Sequence, residues 1–166
     1  MSKNKIDKLK YKWYDFIMKV YFYNREKATD EYIRESVGNP EAKVLRTPKG
    51  KPYFENGPFV SVSHTDDLVV VAVSGSNVGI DAEKTDREVK KQQEIIQKYF
   101  TEKEKEYANT RKKFLEIWTK KEAYGKFTGE GIGDIGKDVF SHKGRYEKIE
   151  KTGYIIFAYR EDENDL

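Results

Sequence analysis

The sequence predicts an α+β fold, with strands and helices mixed in both halves of one chain. Three observations predict it. The runs MKVYFY, FVSVSH, LVVVAVSG and YIIFAYR alternate or are apolar throughout, and are rich in β-branched and aromatic residues, as strands are. Between them lie segments of helical periodicity that carry start and stop residues at their ends. No apolar run approaches the length of a membrane span and the N-terminus lacks a signal-type apolar stretch, so a soluble, cytoplasmic protein with no membrane partner is expected.

Taken in order, residues 1–17 are basic and aromatic with no start or stop signal, and read as an extension. Met18 opens the first strand, MKVYFY. Residues 28–37 place Tyr32, Ile33 and Val37 at helical spacing, with Gly38-Asn39-Pro40 as the stop. KVLRT and PYFE flank a turn punctuated by Pro48 and Gly50. FVSVSH and LVVVAVSG form a hairpin across Thr65-Asp66-Asp67, the second strand apolar enough to be buried on both faces.

After the turn Ser74-Gly75-Ser76-Asn77, the second half begins with the strand VGIDAE. Residues 86–98 read as a helix, Thr101 with Glu104 forms a capping-box pattern for another, and a longer helix spans 111–127, closed by Gly129 and Gly131. DVFSH, RYEKIE and YIIFAYR read as strands, with turns at Lys143-Gly144 and Thr152-Gly153, before a frayed acidic tail. The organisation is an extension over residues 1–17, a first lobe over 18–75, a second lobe over 76–160 and a tail over 161–166.

Composition narrows the function classes. Lys and Arg number 32 against 29 Asp and Glu, so the net charge is only +3 and both signs are interleaved. That balance argues against a protein devoted to nucleic-acid backbones, which shows a one-signed stripe, and leaves room for a small anionic ligand at a local basic cluster. The absence of cysteine excludes disulfides, thiolate catalysis and cysteine-ligated zinc, and two histidines far apart in sequence do not make a His-rich metal site.

Three constellations carry chemistry. In VGIDAEK, Asp81 and Glu83 stand two apart on a strand and emerge on one face. Two carboxylates so close repel unless a cation screens them or one holds a proton, and an oxygen-only pair suits Mg²⁺. The plain alternative is two solvated acids where a strand ends in Lys84.

In FLEIWTKKEAYGKF, Phe114, Trp118, Glu122 and Lys126 follow at four-residue steps, so an apolar stripe becomes charged near the helix end. Glu122 with Lys126 suits a surface pair worth about 0.3–0.5 kcal/mol, or a third metal ligand with a phosphate contact at the edge of a core. In SVSHT, Ser63 and His64 face opposite sides of a strand. No nucleophile elbow accompanies the serine, and the histidine reads either as a structural residue or as a donor to an anion. Arg46, Lys49 and Lys51 surround the turn at Pro48, either as a solvated hairpin tip or as a phosphate clamp.

The order of these pieces is more specific than any of them. Gly50-Lys51-Pro52, Ser63-His64, Gly79-Ile80-Asp81-Ala82-Glu83 and Trp118-Thr119-Lys120-Lys121-Glu122-Ala123-Tyr124-Gly125-Lys126 together resemble the 4′-phosphopantetheinyl transferases. The likeness is to the larger surfactin-type (Sfp-type) branch, because the short holo-acyl-carrier-protein synthases carry their Asp motif at the N-terminus and Asp81 lies mid-chain. It covers about residues 50 to 132, and the W-x-x-K-E-A-x-x-K segment is its most specific part.

The resemblance implies two pseudo-symmetric α/β lobes, here with a reduced N-terminal lobe, and coenzyme A bound between them as co-substrate. It implies Mg²⁺ held by Asp81, Glu83 and Glu122, phosphate contacts from Lys121 and Lys126, and a nucleotide end held by Lys51, Ser63 and His64. Asp81, Glu122 and Lys126 become the catalytic residues, with Glu122 the candidate base, directly or through a metal-bound water. The implied reaction moves 4′-phosphopantetheine onto a serine of an apo acyl or peptidyl carrier protein and releases 3′,5′-ADP. The branch is typically monomeric.

The chain departs from the family pattern at Ser61, where Asn is common, and at Ala82, where Ile or Val is usual. Before Gly50 the family's basic nucleotide contacts have only Arg25, Lys27 and Arg34 as stand-ins. A non-catalytic module that binds coenzyme A or the carrier is therefore the alternative. A metal-dependent phosphodiesterase would rest on the acid cluster alone.

Overall fold

The most apolar strand sits in the middle of its sheet. A computed structural model describes residues 18–131 and 136–161, and in it β5 (Leu68–Ser74) is buried at every position. It runs between β1 (Lys19–Asn24) and β4 (Phe59–His64), antiparallel to both, with Val71 opposite Tyr21 on one side and Val62 on the other. Strand periodicity divides its side chains between two cores. Val69, Val71 and Val73 pack under the helix α1 (Thr29–Ser36) with Tyr32 and Ile33, while Leu68, Val70 and Ala72 face the second sheet. Each such valine contributes about 1.5–3 kcal/mol by leaving water. Two-residue strands β2 (Leu45–Arg46) and β3 (Pro52–Tyr53) pair across the expected turn, where Gly50 takes φ 88°.

The second sheet has the order β6-β8-β7, all antiparallel, from β6 (Gly79–Lys84), β7 (Arg145–Lys148) and β8 (Tyr154–Arg160). Ile80, Ala82, Ile156 and Ala158 meet the residues of β5 in the shared core. On the other face, Ile155 and Phe157 of β8 pack against α2 (Gln92–Tyr99), α3 (Glu102–Tyr107) and α4 (Arg111–Thr128), through residues such as Ile96, Phe114 and Ile117. The protein is thus a mixed α+β structure of small antiparallel sheets. Among the described residues no helix is long and apolar enough to cross a membrane.

One glycine sets how α4 meets β6. A Cβ built on Gly79 would lie 1.9 Å from the Ala123 carbonyl oxygen and 2.4 Å from the Phe127 nitrogen, so the helix rests directly on the strand's main chain. The helix ends as expected at Gly129, which takes the left-handed φ of 77° and donates its N–H to the Gly125 carbonyl.

Two elements differ from the sequence expectation. Residues 138–142 form turns instead of a strand, because the Asp138 carboxylate accepts from the Phe140 N–H and its carbonyl from the Ser141 N–H, a local pairing that competes with a ladder. The helix expected over 86–98 begins only at Gln92, after turns closed by Arg87 N–H on the Lys84 carbonyl and Gln92 N–H on the Val89 carbonyl. The extension over residues 1–17 and tail residues 162–166 lie outside the described residues.

Candidate active site

Strand β6 delivers Asp81 and Glu83 on one face, both nearly buried at 5% and 6% exposure. Helix α4, seated on Gly79, delivers Glu122 and Lys126 to the same place, and β4 ends beside them with His64 exposed. The result is a cleft of about 360 Å³ whose lining includes His64, Asp81, Glu83, Arg87, Glu122 and Lys126. Its floor is the joint between the two sheets, where β4 and β6 run side by side.

The electrostatics are those of three acids and too few cations. Asp81 Oδ1 accepts from Lys126 Nζ at 2.7 Å and from Ser63 Oγ at 2.8 Å. Its Oδ2 is buried and has no hydrogen-bond partner among the described residues. Both Glu83 oxygens receive the Arg87 guanidinium. Burial, and then the charge on Asp81, raise the Glu83 carboxyl above its ordinary value. The same causes in the same order push Glu122 up to about 7, with Lys126 opposing them.

That donor set suits a hard divalent cation: it is all oxygen, it is crowded with like charge, and one buried oxygen is unpartnered. As the side chains stand, Lys126 and Arg87 occupy the carboxylates. Among the described residues no three His, Cys, Asp or Glu side chains form a closed ligand group.

The other residues singled out in the sequence are distributed unequally. Ser63 is buried in the joint, donating to Asp81 and accepting from the Ala82 N–H at 3.1 Å. Lys51 does not line the cleft. Its Nζ donates to Asn77 Oδ1 and to the Phe127 carbonyl, each at 2.7 Å, where burial lowers its pKa to about 8. Lys121 is not brought there either: its ammonium is fully buried, 2.9 Å from Glu104 Oε2, and donates to the Lys137 carbonyl at 2.9 Å. Adjacent residues on a helix point in different directions, so Lys121 faces the core while Glu122 faces the cleft.

Of the basic stand-ins, Lys27 pairs with Glu35 and Arg34 donates to the Ala42 carbonyl. At the hairpin tip, Arg46 pairs with Asp30 and Lys49 with Glu130. Arg25 is the exception. It lines a second cleft of about 560 Å³ with Lys84, and this cleft shares His64, Glu83 and Arg87 with the first.

Arg87 escaped the sequence reading. Its only signal is its place four residues after Glu83, in a segment read as the start of a helix.

A family model described as the 4′-phosphopantetheinyl transferase superfamily matches residues 77–156. Over this segment, just under half of its length, the chain is similar to that superfamily. The matched segment opens just before β6 and ends within β8, so it takes in Asp81, Glu83, Glu122 and Lys126 and leaves Lys51, Ser63 and His64 outside. A protein named 4′-phosphopantetheinyl transferase gsp, from Aneurinibacillus migulanus, is similar over a longer stretch. It is 30% identical over 111 residues, covering 61% of this chain and 45% of its own length. The chain therefore spans less than half of that relative's length.

Proposed function

We propose that the protein is a surfactin-type phosphopantetheinyl transferase that moves 4′-phosphopantetheine from coenzyme A to a serine of an apo acyl or peptidyl carrier protein. The observation that carries this reading is the meeting of Asp81 and Glu83 with Glu122 and Lys126 in one cleft, on residues within the superfamily match. The adjoining cleft, where Arg25, His64, Lys84 and Arg87 stand among Asp66, Glu83, Asp86 and Glu88, gives an elongated ligand room to continue. The two three-stranded sheets, joined at β4 and β6, suit the two-lobed plan with a reduced first lobe.

Asp81, Glu83 and Glu122 would hold Mg²⁺, which when bound would neutralise pyrophosphate oxygens of coenzyme A. The chain's own residues do the rest. The carrier serine oxygen bonds to the phosphorus that bears the pantetheine arm, the bond from that phosphorus to the bridging oxygen breaks, and 3′,5′-ADP leaves. Lys126, on the cleft wall, offsets the charge that gathers on the leaving phosphate. Glu122, on the cleft wall near Lys126, accepts the serine proton, directly or through a water. A reaction that consumes coenzyme A and modifies carrier proteins suits the cytoplasm.

The test is incubation with coenzyme A, Mg²⁺ and a panel of apo carrier proteins, followed by weighing of the carriers by mass spectrometry. One phosphopantetheine added to at least one carrier is the expected result, and no addition to any carrier counts against transfer. Lys51 and Lys121 bond away from the cleft, which favours one second reading, a module that binds coenzyme A or carrier without turnover. Carrier binding with no mass gain would select it.

A further inference from the structure

Strands β4 and β6 run side by side but belong to different sheets, and serine hydroxyls join them. The Ile80 N–H donates to Ser61 Oγ at 3.0 Å, and the Ala82 N–H donates to Ser63 Oγ at 3.1 Å. Both serines are buried, at 2% and 3% exposure, and both answer a backbone donor that burial would otherwise leave unpaired. A hydroxyl that has accepted one bond still has a proton to give. Ser63 gives it to Asp81 Oδ1 at 2.8 Å, whereas Ser61 makes no bond to a carboxylate among the described residues.

We infer that Ser63 is a positioning residue for Asp81. With Lys126 it takes up Oδ1 and fixes the carboxylate, so that Oδ2 is the oxygen left over to receive a divalent cation. The two donors are not equivalent. Ser63 is short, buried and itself anchored by the Ala82 N–H, whereas Lys126 reaches Asp81 on a long, flexible stem. Removing the hydroxyl leaves the carboxylate held by the mobile partner alone. Groups that orient a metal-binding carboxylate in this way change metal affinity by roughly 10–100-fold when removed. The inference rests on the reading of Asp81 as a cation-holding residue.

The experiment compares the full chain with Ser63→Ala and Ser61→Ala. Each variant deprives one buried N–H of β6 of its acceptor, so the two are matched in their damage to the joint. Manganese(II) titration, read by electron paramagnetic resonance of the free ion, is expected to show Ser63→Ala weakened roughly 10–100-fold. Ser61→Ala should stay within about twofold of the unaltered chain. Three-bond couplings at Asp81, read by NMR, should report one side-chain rotamer in the unaltered chain and in Ser61→Ala, and averaging in Ser63→Ala.

Equal affinities in the two variants would reduce Ser63 to a seam residue and overturn the inference. Weakened coenzyme A binding in metal-free solution, with manganese affinity intact, would assign Ser63 to the nucleotide and overturn it as well. If the unaltered chain binds no manganese, the cation part of the proposed function falls. The rotamer measurement then decides Ser63 alone: averaging confined to Ser63→Ala sustains positioning, and a single rotamer in all three overturns it.

Discussion

Replacing Lys121 by methionine isolates the role of a fully buried charge. Its ammonium and the Glu104 carboxylate are both fully shielded from solvent, 2.9 Å apart. The carboxylate is further held by the Thr101 N–H and the Val139 N–H, each at 2.8 Å. Methionine matches the stem of lysine in length and apolar character, so packing is largely retained while the positive charge is lost. Glu104 then keeps two neutral donors but no counter-charge, and breaking a buried pair on one side costs about 3–5 kcal/mol. For a chain of this size about 2–4 °C is lost per kcal/mol, so the melting temperature falls by roughly 6–20 °C. Adding Glu104→Gln removes the stranded charge, and the double variant should recover on the order of 2 kcal/mol relative to the sum of the single ones. Urea unfolding followed by tryptophan fluorescence measures all three. A Lys121→Met cost below about 1 kcal/mol, or strictly additive effects, would refute the reasoning. So would an unchanged stability coupled to a raised KM for coenzyme A, the signature of a phosphate contact.

Glu122 should impose a pH dependence on the metal-free protein. Its carboxyl keeps its proton to about pH 7 in the fold but loses it near 4.5 when unfolded, so this group's contribution to stability declines as pH rises through that window. The upper bound is roughly 3 kcal/mol, less whatever solvent screening removes. Glu122→Gln should flatten urea midpoints between pH 5 and 8, and unchanged curves would count against a crowded carboxyl. Asp81→Asn should slow carrier modification roughly 100-fold or more while leaving the far-UV circular dichroism intact. Gly79→Ala forces a carbon into the Ala123 carbonyl, so calorimetry should show at least about 1–3 kcal/mol of destabilisation and the transfer rate should drop with it.

Sequence reasoning succeeded where one physical rule operated alone. LVVVAVS has no polar interruption before Ser74, so it had to be the strand covered on both sides. Glu122 and Lys126 are one turn apart behind Phe114 and Trp118, so the same helix face that enters the core leads to the cleft. It fell short where a partner from elsewhere decides. Lys120, Lys121 and Lys126 look alike in the string, but only the arrival of Glu104 from α3 explains why Lys121 turns inward. Lys51 is drawn to the Phe127 carbonyl at the end of α4, a group with no signature in the sequence around residue 51. Arg87 belongs to no periodic pattern at all, because its place follows from turns that delay α2.

The contact at Gly79 also bears on how readily this site can be altered. Helix and strand touch there through main-chain atoms, so no side chain at residue 79 separates the acids of β6 from the charged end of α4. A library that randomised the exposed, cleft-facing positions 64 and 87 would change ligand preference while keeping that contact intact. The scaffold can therefore be re-specialised by surface editing, provided that residue 79 remains glycine.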